Sequence, residues 1–131
     1  MRVFLDANVL FSAAYRRNAE LRKLWKLPKV NLVTSLYAVE EARRDLDTEE
    51  QIKDLEALLQ DIEVTVAAPE DRPLVLARKL PDKDRSILLA AIAARATHLF
   101  TGDMKDFGSL YRKTVEDVLI FPPAEFFRLF S

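Results

Sequence analysis

Five short segments, Val3 to Leu5, Val30 to Val33, Ile62 to Val66, Leu99 to Phe100 and Val118 to Phe121, are apolar and rich in β-branched residues, and they recur between stretches of helical periodicity. This alternation narrows the architecture more than any other feature of the chain. Strands joined through helices must cross over before they pair, which makes them parallel and leaves both faces of the sheet to be covered. The predicted fold class is α/β with a mostly parallel central sheet. Helical patterns fall at Val9 to Tyr15, Ala19 to Trp25, Leu36 to Asp45, Glu49 to Leu59, Pro73 to Leu80 and Arg85 to Arg95. Thr48 followed three residues later by Gln51 predicts a capping box at the start of the fourth. Pro122 and Pro123 stop the last strand and launch a C-terminal helix carrying Phe126, Phe127, Leu129 and Phe130. At 131 residues, half of them hydrophobic, the chain can bury one core, and a single domain over residues 1–131 is expected.

Composition mainly excludes. Twenty basic against 21 acidic residues give a formal charge of -1, so any nucleic-acid contact must come from local patches. Without cysteine there are no disulfides, thiolate metal sites or cysteine nucleophiles, and His98 alone cannot build a multi-histidine site. The start of the chain reads as a strand, without the charged and apolar regions of a secretory signal. The apolar run Ile87 to Ala94 is far shorter than the roughly 20 residues that cross a bilayer. A cytoplasmic protein is expected.

Ligands of open α/β sheets bind outside the carboxyl ends of the strands, and this chain places carboxylates there repeatedly. Asp6 ends the first strand, Glu40 and Glu41 lie about a turn into the helix after the second, and Asp103 and Asp106 follow the fourth. Asp82 and Asp84 open the helix that feeds the fourth strand, and helix starts share an edge with strand ends. Both glycines, Gly102 and Gly108, fall in the same acidic loop, Thr101 to Gly108. Carboxylates drawn together repel unless cations neutralise them, and oxygen-only ligands suit Mg²⁺ or Mn²⁺. Each acid also has an ordinary explanation: Asp82 as an N-cap, Asp84 as a first-turn partner of the helix dipole. Asp6 is the hardest to explain so, because a carboxylate ending a central strand is costly to bury without a partner.

Asp6-Ala7-Asn8 after an N-terminal strand, Thr34-Ser35 followed by Glu41, Asp84 ahead of an alanine-rich helix, and Thr101-Gly102-Asp103 with Asp106-Phe107 resemble the successive motifs of PIN-domain ribonucleases, whose small members include VapC-type toxins. The similarity runs from Asp6 to Phe107, and the order and spacing of the motifs are more specific than any one of them. It implies a three-layer α/β/α sandwich, an acidic pocket for one or two divalent ions, Mg²⁺ or Mn²⁺, and hydrolysis of single-stranded RNA. Carried over by position, it implies Asp6, Glu41, Asp84 and Asp103 as catalytic metal-binding acids and Asp106 as a further acidic position. Asn8, Ser35 and Thr101 match polar positions that orient the carboxylates or water. The resemblance implies Glu41 rather than Glu40, through the family's spacing from Ser35. Periodicity does not separate them, because with Leu36, Val39, Ala42 and Leu46 as the buried stripe, Glu40 and Glu41 flank it at similar angles on opposite sides. A VapC-like chain would be the toxin of a toxin-antitoxin pair, with RNA as substrate, an antitoxin as partner and a homodimer as its assembly; free-standing PIN nucleases are the alternative.

Rival readings fare less well. A haloacid dehalogenase-type phosphatase wants a second Asp two residues after the first, where this chain has Asn8. A response-regulator receiver wants an acidic pair at the end of the first strand and an Asp after a later one, yet Asp6 stands alone and the second strand ends in Thr34-Ser35. A PIN module that binds RNA or a partner without cutting would leave a costly carboxylate cluster unused. Asn8 and Ser35 can also be read as helix N-caps. His98 reads as a partly exposed surface residue, and Trp25, Phe126, Phe127 and Phe130 as core or interface. Among the basic residues, Arg16, Arg17, Arg43 and Lys105 are the candidates for holding RNA phosphates.

Overall fold

The computed structural model describes residues 1–130, and the side chains of Leu129 and Phe130, expected on the C-terminal helix, lie outside the described residues. Six strands form one sheet: β1 (Arg2–Leu5), β2 (Asn31–Ser35), β3 (Glu63–Thr65), β4 (His98–Phe100), β5 (Thr114–Val115) and β6 (Val118–Phe121). Their order is β3-β2-β1-β4-β6-β5, with every pairing parallel except β5 with β6. The helices are α1 (Ala7–Tyr15), α2 (Leu36–Asp45), α3 (Glu49–Leu59), α4 (Asp82–Ala93), α5 (Met104–Phe107) and α6 (Pro123–Phe130). The step from β1 to β2 and the step into β4 run in opposite directions across the sheet. Right-handed crossovers therefore put α1 and α4 on opposite faces and make a three-layer α/β/α sandwich. Val3, Phe4, Leu5, Leu99, Phe100 and Ile120 fill its central strands, fully buried.

Several expectations hold to the residue. Leu36 to Asp45 and Glu49 to Leu59 are helices, and Thr48 and Gln51 form the capping box. Two stretches read as α-helical turn tighter. Residues 19–25 become a 3-10 segment, Glu20–Lys26, and the predicted helix Pro73 to Leu80 shrinks to a 3-10 turn, Val75–Ala77. The leucines explain both: Leu21, Leu24 and Leu27 face the core at three-residue spacing, as do Leu74, Ala77 and Leu80. That spacing fits three residues per turn, not 3.6. Val75 and Leu76 are left 77% and 69% exposed. Strand β5 has no counterpart in the sequence reading, being two residues long and joined to β6 by Glu116 and Asp117, both at positive φ. Such a two-residue hairpin usually announces itself with Asn-Gly or Asp-Gly, absent here.

Candidate functional site

The order in which successive strands are added reverses between β1 and β4, two parallel neighbours, so the crevice at their carboxyl ends is the switch point where α/β sheets bind ligands. Asp6 stands at its edge. The residue ends β1 and is the N-cap of α1, its Oδ1 accepting from Ala7 N at 2.7 Å. Its Oδ2 accepts from the Thr101 hydroxyl at 2.8 Å and from Asn8 Nδ2 at 3.3 Å. Burial pushes the Asp6 carboxyl above the usual range; the Thr101 and Ala7 hydrogen bonds pull it down, and the charges of Glu41 and Asp103 push it up again.

Asp84, Asp103 and Asp106 meet from the other side, each offering an oxygen within 4.8 Å of the others. Pro81 fixes Asp84, since α4 starts directly after it and antiparallel helices begin where parallel strands end. Pro81 is the N-cap, and Asp82, expected to cap, is the first helical residue; it pairs with Arg85 at 3.1 Å instead. Asp103 is the N-cap of α5 and accepts from Asp106 N at 3.1 Å, which draws the two acids together. Asp84 is 3% exposed, and its Oδ2 is buried with no hydrogen-bond partner. Burial first, then the interaction with Asp106 and the charges of Asp103 and Asp6, pushes its carboxyl up to about 7.

Glu41 completes a hollow of about 150 Å³ lined by Asp6, Asn8, Glu41, Asp45, Lys83, Asp84 and Asp103. The Glu40/Glu41 tie breaks because the buried face of α2 is set by Ala38, Val39 and Ala42, while Leu36 is exposed. Replacing Leu36 by Ala38 rotates the stripe toward Glu41, which is half-buried, and leaves Glu40 exposed. Glu41 Oε1 lies 3.2 Å from Lys83 Nζ. Sequence reasoning missed both Lys83 and Asp45. The second was findable: Asp45 lies four residues beyond Glu41 on the same helix face.

Of the polar positions, Asn8 and Thr101 belong to the cleft. Asn8 is not an N-cap; Asp6 holds that place, and Asn8 accepts from Gly102 N at 2.8 Å while donating to Asp6. Thr101 Oγ1 also accepts from Asp103 N at 3.2 Å, tying β4's loop to β1. Ser35 caps α2 through Ala38 N at 3.1 Å and lines a separate hollow with Thr65 and Ser86. Neither glycine has positive φ, so no left-handed backbone demands them. Arg17 is tied to Glu50 at 2.7 Å and Asp54 at 3.2 Å, and Arg43 lies 3.9 Å from Glu56. Arg16 and Lys105 are exposed. His98 opens β4 at the opposite, amino edge, with Nδ1 2.9 Å from Thr97 Oγ1, and burial lowers its pKa. Trp25 packs on the core and donates from Nε1 to Leu58 O at 2.9 Å, and Phe126 is buried with Phe127 half-buried beside it.

The cluster fits a divalent cation. An octahedral ion with oxygens at about 2.0–2.1 Å separates its ligands by roughly 3–4 Å, and an orphaned buried carboxylate oxygen is what a cation would satisfy. A carboxylate-lined cleft at the switch point of an α/β/α sandwich defines a domain with an acidic site, whose all-oxygen donor set suits a hard cation. The sequence itself matches the profile of the PIN domain over residues 2–105. The chain belongs to the PIN-domain family. No curated protein matches it. Among solved structures it is similar to VapBC2 from Rickettsia felis bound to a DNA fragment from their promoter, at TM-score 0.67 and 17% identity over 93% of this chain and 98% of that one. VapBC-1 from nontypeable Haemophilus influenzae is similar at TM-score 0.59 and 19% identity, over 95% of this chain and 99% of that one. At such identities the likeness is one of fold. Among the described residues, no helix is long and apolar enough to cross a membrane.

Proposed function

We propose that this chain is a metal-dependent endoribonuclease that hydrolyses phosphodiester bonds of single-stranded RNA and serves as the toxin of a VapC-like toxin-antitoxin pair. The observation that carries the reading is the convergence of Asp84, with its unpartnered buried oxygen, on Asp103 and Asp106 within a PIN-domain cleft that Asp6 and Glu41 also line. Asp6, Glu41, Asp84 and Asp103 would hold Mg²⁺ or Mn²⁺, with Asp106 beside them. When bound, the cation supplies an acidified water and neutralises charge on the phosphate. Thr101 and Asn8 hold the Asp6 carboxylate in one orientation, which leaves lone pairs directed into the cleft. With its carboxyl pushed up to about 7, Asp84 is only partly ionised near neutrality in the cation-free protein and would lose its remaining proton on holding a cation.

The toxin role is supported by the two similar structures, both of VapBC proteins. An antitoxin is accordingly the expected protein partner, in the cytoplasm, with a second copy of the chain as dimer mate. Purified protein should cut single-stranded RNA with Mg²⁺ or Mn²⁺ and lose the activity in EDTA, and Asp6→Asn should remove most of it. Full cleavage in EDTA would overturn the metal chemistry. Expression of the isolated chain should arrest growth while Asp6→Asn at equal levels is harmless; normal growth despite soluble, RNA-cutting protein would point to a housekeeping nuclease.

A further inference from the structure

Lys83 is the basic side chain among the residues lining the acidic hollow. It sits on the first turn of α4, one residue before Asp84, and reaches across to α2, where its ammonium pairs with Glu41 at 3.2 Å. The two partners are unequally placed: the Glu41 side chain is 18% exposed and the Lys83 side chain 58%. The carboxylate is thus fixed in the wall of the cleft, while the ammonium rides on a flexible four-carbon stem at its mouth. Among the described residues, Asp6, Asp84, Asp103 and Asp106 have no ion pair, so Lys83 is the cation that the cleft supplies for itself.

The geometry points to Lys83 as a phosphate-binding arm of the cleft, held by Glu41 until a divalent cation takes that carboxylate over. This rests on the nuclease reading above and names a part of its substrate site. In the cation-free protein the ammonium partly neutralises an acidic wall that would otherwise repel a polyanion. A divalent ion on Glu41 competes directly with Lys83 for the same oxygens. The displaced ammonium then stands, with its charge intact, at the rim of a cleft whose wall no longer attracts it. The strongest anion within its reach becomes the phosphodiester backbone of a bound strand. Substrate binding is in this way coupled to cation loading through one side chain. Of the other basic candidates, Arg17 is held by Glu50 and Asp54, Arg43 faces Glu56, and the exposed Arg16 and Lys105 do not line the acidic hollow.

Two measurements on the full chain test this, with Lys83→Gln, Lys83→Arg and, as a control for charge loss elsewhere, Lys53→Gln on α3. Calorimetric titration with Mn²⁺ alone should show Lys83→Gln binding about two- to fivefold more tightly than the wild type, because an exposed competing pair is weak. Steady-state cleavage of a single-stranded RNA oligonucleotide should show Lys83→Gln raising KM about three- to tenfold with kcat little changed, and lowering the salt dependence by about one phosphate contact. Lys83→Arg should restore KM, and Lys53→Gln should match the wild type. Weaker Mn²⁺ binding in Lys83→Gln would make Lys83 a positioning residue for Glu41 and overturn the proposal, as would an unchanged KM. A wild type that neither binds Mn²⁺ nor cuts RNA would overturn the nuclease reading together with it.

Discussion

Replacing Asp84 by asparagine keeps the shape of the side chain and deletes a charge that the folded protein holds at a cost. The carboxyl moves from an ordinary 3.8 to about 7 on folding, because it is buried beside Asp106, Asp103 and Asp6. A group whose folded pKa is raised keeps its proton longer in the native state, so stability falls as pH rises from 3.8 to about 7 and is level above that. At about 1.4 kcal/mol for each pH unit of that window, the full cost above neutrality is about 4 kcal/mol. Relaxation of the neighbours and entry of water reduce it to the order of 2 kcal/mol. Asp84→Asn should therefore raise the melting temperature of the cation-free protein at pH 8 by about 7 °C. The gap should close toward pH 4 and grow through the window. Thermal melts in EDTA from pH 4 to pH 9 measure it, and added Mn²⁺ should reverse the ranking by stabilising only the wild type. A variant that melts at or below the wild type at pH 8 in EDTA, or a gap independent of pH, would refute the reasoning.

Glu41→Gln should cost at least tenfold more activity than Glu40→Gln, since only Glu41 lines the cleft; a larger loss from Glu40→Gln would move the register of α2 by a residue. Thr101→Val, nearly isosteric, removes the hydroxyl that donates to Asp6 and accepts from Asp103 N, and should destabilise by about 1–3 kcal/mol in urea titrations. The same change removes an interaction that lowers the Asp6 pKa, so the acid limb of the pH–activity profile should move to higher pH. An unshifted limb would mean that Thr101 does not tune Asp6.

Strand and helix alternation was legible because burial on both faces makes each central strand a continuous apolar run, as in Val3 to Leu5. The 3-10 segments were misjudged because apolar residues at i and i+3 satisfy both periods over one turn; only the third member, Leu27 or Leu80, distinguishes them. The placement of Asp6, Asp84 and Asp103 could be read from chain position alone, for each is fixed to the sheet edge by the element it begins or ends. Glu41 needed the true rotation of α2, which turned on a small residue, Ala38, outweighing the larger Leu36. Lys83 was hidden for a different reason. A lysine beside an aspartate on a helix start looks like solvated surface, and only the packing of α4 against β2 and β4 brings it opposite α2.

The double employment of Asp6, as the acid of the cleft and as the cap of α1, bears on how a gene of this kind can decay. Loss of the charge and loss of the cap are separate injuries, and asparagine inflicts only the first, since its amide oxygen can take the same hydrogen bond from Ala7 N. Inactive descendants that survive as folded proteins should therefore be recruited through Asn, Ser or Thr at position 6, whereas Ala or Val there marks a copy on its way to being degraded. The same asymmetry sets a rule for mutagenesis: an alanine at this position confounds foldedness with chemistry, and the asparagine variant separates them.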